Sequence, residues 1–516
     1  MKIVETAKLR PGSFTKHEAL QIYNGLDSAL TLEVFEEITG PNRSNLTPAA
    51  ARVYSFEKAM QAPALEMMLR GWRIDLFMRD MAVAKLRKER TTIQEILDGL
   101  VLILWDGGKT PLDPKKKQPG LNPASPKQMK EFFYERLKLP EQFSYTKGER
   151  KVTTNRDSLE KLHSYYYARP FINCILEIRD RNKKIAVLTS EVDSDYRMRT
   201  SYNVTGTETG RWSASTNAFD GGTNLQNITE ALRHIFIADP GKKLAYLDKS
   251  QAESRVLGAI IWQLFGDSTY LDACESGDLH TYVAKLIWRD LPWTGDPKRD
   301  KEIAERKFYL HFSYRDMAKR GGHGTNYYGT ARTMAMHLKV AVALIEHFQA
   351  GYFEAFPGIR EYHKWVARQI QTKDQYIETF LGMGRHFFGR PGDDATLREA
   401  IAYSPQSIVG QLLNLALWRN WNYMPYIERL GQIHDAIVIQ YPEEMESEVL
   451  EKAKSLMPTP ILLRGREFII PSDIMVGWNW GKQTPTNPDG LIKWTGTDAR
   501  SRSFDPESTG LDRVIS

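Results

Sequence analysis

Apolar side chains recur near steps of three and four in the first 48 residues, at Leu20, Tyr23, Leu26, Leu30 and Val34. That spacing predicts one amphipathic helix. Asn42 to Pro48 reads as a linker. Residues 50–100 keep helical spacing except at Gly71-Trp72-Arg73-Ile74-Asp75, where a helix end followed by a short strand is expected. Residues 107–127 form a polar loop carrying Lys115-Lys116-Lys117, and helical patterns resume from Ser125 to about Leu188. Strand-like runs lie at Lys243–Leu247, Gln432–Tyr441 and Phe468–Ile474, with a long, mainly helical region between the first two. Short apolar strands so far apart in sequence predict an α+β protein, with one small sheet surrounded by helical insertions. The tail after Trp480 is polar and rich in Gly, Pro and Ser, so loose order is expected there.

Composition narrows the class. With 41 % hydrophobic and 26 % charged residues, the chain is neither a disordered polymer nor a fibrous rod. At 516 residues it exceeds what one core supports, so two or more domains are expected. Two cysteines, Cys174 and Cys274, cannot build a disulfide framework or a four-thiolate zinc site, and point to a reducing, cytoplasmic setting. No apolar run is long enough to span a bilayer, and the start lacks a secretory signal pattern. The 70 basic and 64 acidic residues leave a net charge of +6, which permits a polyanionic partner without arguing for one.

Four segments carry candidate chemistry. In Leu244-Ala245-Tyr246-Leu247-Asp248 an apolar strand ends in a carboxylate, followed by Lys249, Ser250, Gln251 and Glu253. In Gly431-Gln432-Ile433-His434-Asp435-Ala436-Ile437 an acid sits where two apolar runs meet, as at a hairpin tip. A carboxylate flanked by buried strands is costly unless paired or bound to a cation, so the two together make a plausible magnesium pair. Alone, each could equally be a turn former or helix cap. Arg315, Lys319, His323 and Tyr327 recur every four residues and share a helix face. Two cations, an imidazole and an aromatic ring in that order suit a triphosphate at one end and a sugar or base at the other. A solvated basic helix is the plainer alternative. Gly321, Gly322 and Gly324 count against it, because glycine weakens a helix interior unless something must approach the backbone or the segment must move. Thr209-Gly210-Arg211-Trp212-Ser213 and Asn224-Leu225-Gln226-Asn227-Ile228 offer donors for minor-groove acceptors, or a polar loop bridging helices. The lysines of the 107–127 loop read as a solvated surface or as a phosphate-contacting finger, and residues 113–120 as a candidate surface for a processivity partner.

These four motifs, in this order, resemble the polymerase domain of family A DNA polymerases, the group that includes bacterial DNA polymerase I and many phage replicases. The resemblance covers about residues 49–480, with supporting matches at Gly277-Asp278-Leu279-His280-Thr281 and Gly477-Trp478-Asn479-Trp480. It implies a right-hand polymerase: a palm with a small antiparallel sheet, and helical fingers and thumb. The implied division is an exonuclease remnant at 1–48, palm start at 49–79, thumb at 80–195, palm at 196–265, fingers at 266–400, palm at 401–485 and a tail at 486–516. By the same resemblance Asp248 and Asp435, with the carbonyl of Lys249, hold two Mg2+ ions, for which Mn2+ can substitute. Polymerases are a standard example of such two-metal chemistry. Arg315, the catalytic Lys319 and His280 contact the incoming dNTP phosphates; Gln251, Glu253, His323 and Tyr327 complete the dNTP site, with Glu253 as the sugar gate. Arg211, Asn224, Gln226, Asn227, Arg398, Gln406 and His434 line the DNA primer–template.

The chain departs from the family pattern at several positions. His323 stands for a usual Phe or Tyr, Ala436 for a Glu, Ala402 for an Asn and Tyr328 for a Gly, while Lys249, Ala252 and Ser254 replace Tyr, Ile and Leu. These changes suggest a divergent, phage-type branch. Tyr23-Asn24-Gly25-Leu26-Asp27 resembles the last motif of a 3′–5′ exonuclease domain, whose earlier acidic motifs have no room ahead of it. A separate exonuclease subunit docking on residues 1–48 would complete that site; a remnant helix packed on the palm is the alternative. Two rival functions stay open at this point: a single-subunit RNA polymerase, and a catalytically silent nucleic-acid clamp.

Overall fold

Three apolar segments distant in sequence pair into one sheet because each alternates its side chains between two cores. Lys242–Lys249 (β1), Glu428–Ile433 (β2), Ala436–Pro442 (β3), Ser472–Gly477 (β4) and Ile492–Lys493 (β5) form an antiparallel sheet in the order β2-β3-β1-β4-β5. Ala245, Leu247, Ile437 and Ile439 face one core with Leu413, Leu417, Val449 and Leu450. Leu244 and Val438 face the other, with Trp72, Phe236 and Trp480. Asp248 falls on the side of Leu244 and Tyr246, whereas Lys249 falls on the side of Leu247 and is buried there.

The computed structural model describes residues 15–41, 45–104, 120–146, 149–216, 221–372 and 374–496. Lys109, Lys115, Lys116 and Lys117 of the 107–127 loop, and residues 497–516 of the tail, lie outside the described residues. Seven helices matter below: Lys16–Thr39 (α1), Leu76–Leu104 (α2), Arg169–Leu188 (α3), Ala252–Phe265 (α4), Leu279–Ile287 (α5), Tyr314–Asn326 (α6) and Asp394–Tyr423 (α7). Helices α2 and α3 pair through a core of their own, with Leu97 and Val101 near Ile172 and Ile175. A larger apolar cluster joins α4 and α5 to α7 and to the helices Val342–Ala355 and Pro357–Ile370. Among the described residues no helix is long and apolar enough to cross a membrane.

Several expectations need correcting. Helix α1 forms where the spacing predicts it, but its apolar stripe is not buried: Tyr23, Leu30, Val34 and Ile38 are all exposed. The stretch from Ser125 to Leu188 is not continuously helical; a hairpin, Phe143–Thr146 with Glu149–Val152, interrupts it. The apolar run Phe468–Ile474 is divided, because Arg466–Phe468 pairs locally with Ile461–Leu463 before β4 begins. The polar tail is ordered to residue 496, where Ile492–Lys493 adds an edge strand and Leu491 is buried. The α6 glycines have a packing cause. A Cβ at Gly321 would meet the Phe348 ring at 2.7 Å, and one at Gly324 would meet Met334 at 2.6 Å.

One buried ion pair ties the helix Gln61–Arg70 to the sheet edge. Arg429 on β2 donates to both Glu66 oxygens at 3.1 Å and to the carbonyls of Asn420 and Ile427 at 3.2 Å. Removing Arg429 weakens the pairing of the Glu66 carboxylate, which keeps Arg70 at 3.4 Å and the Trp421 indole N–H at 2.8 Å. Arg429→Met is therefore expected to lower stability by about 3 kcal/mol, the low end for a buried pair, since Glu66 keeps some contact with water. Urea unfolding measures it; a loss below about 1 kcal/mol would mean that the pair fixes geometry without adding stability.

Candidate active site

The register of the sheet brings the two sequence-predicted acids together. Ala436 on β3 pairs with Asp248 on β1, so Asp435 lies one residue beyond the paired position. The Lys249 N–H donates to the Asp435 carbonyl at 3.2 Å. His434 and Asp435 alone connect β2 to β3, and His434 takes a φ of 54°, in the left-handed region that such a tight hairpin requires. Gln251, at the start of α4, is also left-handed with φ 53°, and donates to the Gly277 carbonyl at 3.1 Å. Two turns of uncommon backbone thus aim Asp435 and Glu253 toward the end of β1.

The electrostatics are those of acids crowded together. Burial, then the neighbouring Asp435 and Asp473, push the Asp248 carboxyl up to about 7, against the opposing fields of Arg233 and Lys319. Among the described residues Asp248 has no side-chain hydrogen bond or ion pair. Burial also raises Asp435; Arg211 opposes the shift and Glu253 adds to it. Burial, with Arg315 and Lys319 nearby, drops His280 to about 4, so its ring is neutral at pH 7. Lys249 is fully enclosed, donates to the Met457 carbonyl at 2.8 Å and is lowered to about 7 by burial and then by Arg419.

A cavity of about 350 Å3 opens above these groups, lined by Asp248, Lys249, Gln251, Glu253, His280, Lys319, His323 and Asp435. These eight predicted site residues are brought together. Tyr327, at the end of α6, is not among the lining residues but donates its hydroxyl to Glu253, which is. Arg315 is not in the cavity. It forms a two-pronged pair with Asp278 at 2.7 and 3.1 Å and faces a separate hollow with Glu305 and His311.

Arg211 lies beside two of these acids, reaching Glu253 at 2.5 Å and Asp435 at 3.2 Å. Asn224 caps the turn Leu225–Asn227, accepting from the Gln226 N–H at 3.0 Å, and Gln226 donates to the Gln432 carbonyl at 3.2 Å. Asn227, His434 and Arg398 are exposed, Arg398 beside Asp394 at 3.9 Å, and Gln406 is half-buried on α7. Tyr23 and Asp27 lie exposed on α1, which contributes nothing to the cavity.

Sequence reading missed Asp473, which β4 places directly opposite Asp248, and Arg233, whose charge acts on Asp248. A strand register could have found Asp473; no local signal marks Arg233. The donor set suits a hard divalent cation, because carboxylates that are buried and mutually repelling gain most from one. Among the described residues no three His, Cys, Asp or Glu side chains are set to enclose a metal. Further ligands would therefore be water and substrate oxygens, the usual situation for magnesium.

The chain is 28 % identical over 374 residues to the thermostable DNA polymerase I of Thermus caldophilus, covering 68 % of this chain and 40 % of that protein. It is 25 % identical over 379 residues to DNA polymerase I of Aquifex aeolicus, covering 70 % of this chain and 59 % of that one. It thus spans well under two thirds of the length of these relatives. Its fold matches the POL domain of Pol1 from M. smegmatis, solved in complex with DNA primer-template and dNTP, with a TM-score of 0.64 and 23 % identity over 82 % of this chain and 70 % of that one. The family model for DNA polymerase family A matches residues 115–482, and the chain belongs to that family.

Proposed function

We propose that this protein is a template-directed DNA polymerase that adds deoxynucleotides to a primer 3′ end. The observation that carries the reading is the cavity lined by Asp248 and Asp435 together with Lys319 and His280. Paired acids facing a cation across a space of nucleotide size suit phosphoryl transfer, which needs in-line positioning and charge neutralisation. Asp248, Asp435 and the Lys249 carbonyl would hold divalent cations, with Mg2+ as the natural choice and Mn2+ a substitute. Such cations, when bound, increase the acidity of the primer 3′-hydroxyl and neutralise the phosphates.

The chain's own groups do the rest. Lys319 sets its ammonium against the triphosphate. His280, neutral at pH 7, donates a hydrogen bond without adding charge. Glu253, held by Arg211 and Tyr327, crowds the position of a ribose 2′-hydroxyl. His323 packs the sugar, and Asn224, Gln226, Asn227, Arg398, Gln406 and His434 face the duplex. In this reading residues 80–195 form the thumb, 266–400 the fingers, and the sheet the palm. Residues 1–48 serve as the docking element of a separate 3′–5′ exonuclease, a reading supported by Tyr23 and Asp27 standing one turn apart on the exposed α1.

Primer extension with dNTPs, rNTPs and a mismatched 3′ end tests the proposal. The expected result is dNTP incorporation at least about a hundredfold over rNTPs, as a site that crowds one hydroxyl can achieve, with no excision by this chain alone. Preference for rNTPs would reassign it as an RNA polymerase; duplex binding without extension would make it a silent clamp.

A further inference from the structure

Arg211 stands at an unusual junction. One of its terminal nitrogens, Nη2, serves two acids, Glu253 at 2.5 Å and Asp435 at 3.2 Å. Among the described residues Asp435 has no other side-chain partner. The Arg211 Nε is buried and has no hydrogen-bond partner. A buried donor left unmet is unfavourable, so this pose leaves the guanidinium incompletely satisfied.

The backbone beneath it is fixed. Gly210 is left-handed with φ 72°, and its carbonyl accepts from Asn414 of α7 at 3.5 Å. The Arg211 carbonyl accepts from the Thr207 hydroxyl at 2.7 Å. Gly410 on α7 lets this strand come close: a Cβ there would stand 3.3 Å from the Arg211 Cγ and 3.4 Å from the Gly210 oxygen. A change in the guanidinium's position would therefore have to come from the side chain beyond Cγ.

We propose that Arg211 is a duplex-responsive gate: without a primer terminus it sits on the carboxylate of Asp435, and a bound duplex draws it away and frees that oxygen for a divalent cation. The inference rests on the reading above, because the ligand that competes for the guanidinium is the acceptor-lined minor groove at the primer end. Two ligands that bid for one side chain are linked, so whatever removes Arg211 from Asp435 strengthens cation binding by the same factor that the cation strengthens duplex binding. Glu253 keeps a hold on Arg211 in either position and limits its travel. Arg211 is thus a positioning residue, acting through Asp435.

The test is Mn2+ binding to the full chain, read by electron paramagnetic resonance of free Mn2+, with and without a 3′-dideoxy-terminated primer–template. Without DNA, Arg211→Gln is expected to bind Mn2+ roughly tenfold tighter than wild type, within the usual range of coupling between sites. Adding duplex tightens Mn2+ binding to wild type by a similar factor, over and above its effect on Arg211→Gln, which accounts for metal held by the DNA itself. Equal affinities of the two proteins without DNA, or equal duplex effects in both, would overturn the gate. Should Arg211→Gln fail to fold, wild type compared with Asp435→Asn decides instead: a duplex effect of the same size in both overturns it. Loss of primer extension by wild type would instead count against the polymerase reading, and extension with coincident Mn2+ affinities against the gate alone.

Discussion

On the proposed function, Asp248→Asn and Asp435→Asn are each expected to lower dNTP incorporation by on the order of a thousandfold, because each would remove several kcal/mol of charge stabilisation from the phosphoryl-transfer step. Asn keeps the shape and abolishes the charge, so the loss is of chemistry and not of packing. Stability moves the other way for Asp248. Its carboxyl is raised from 3.8 to about 7 in the folded protein, so the native state holds that proton more tightly than the unfolded chain. The stabilising effect of this proton is complete below the unfolded value and is lost as pH rises through about 7. Above that pH the metal-free protein carries a buried charge that works against folding. Asp248→Asn relieves it and is expected to gain on the order of 1 kcal/mol at pH 8, after allowance for the water that reaches the site. Added Mg2+ stabilises wild type and leaves Asp248→Asn unmoved, since a ligand stabilises only the state that binds it. Single-turnover extension and thermal unfolding with and without Mg2+ measure the two effects. A variant that keeps a tenth of wild-type activity, or one that unfolds earlier in metal-free buffer, would remove Asp248 from the reaction.

The palm was legible because its signals are local. Strand β1 ends its apolar run in Asp248, and His434-Asp435 interrupts another at a hairpin tip. The helix of Arg315, Lys319 and His323 was legible from its four-residue spacing. What the spacing could not give was direction relative to other elements. Arg315 and Lys319 share a helix, yet Asp278 at the start of α5 takes Arg315 out of the cavity while Lys319 lines it. Asp473 escaped notice because its importance lies in a pairing across strands more than two hundred residues apart in the chain. The α6 glycines carried a true signal, close approach: Phe348 packs at Gly321 and Met334 at Gly324, while Gly322 lines the cavity. The exposed stripe of α1 marks the limit of periodicity itself. A repeat of three and four shows which residues share a face; it does not show what covers that face.

Lys319→Ala is expected to lower kcat/KM for dNTPs by roughly a hundredfold to a thousandfold, the range seen when a preorganised charge is removed from the place where charge develops. Three features single out this lysine. It lines the cavity that holds both acids. It is exposed, so its ammonium is available to a ligand. Among the described residues it has no ion-pair partner to give up, whereas Arg315 is paired with Asp278 and Arg211 with two carboxylates. Its positive field already acts on Asp248, which places the two on facing sides of one small volume. A triphosphate entering between them would meet Lys319 before any rearrangement. The effect should fall mainly on kcat, because the charge matters most as pyrophosphate leaves. Lys319→Arg should restore only part of the rate, since a flat guanidinium does not reproduce a compact ammonium. Single-turnover kinetics at saturating duplex separate the steps. A Lys319→Ala enzyme with wild-type kcat and a raised KM alone would show that the lysine gathers substrate without helping the chemistry.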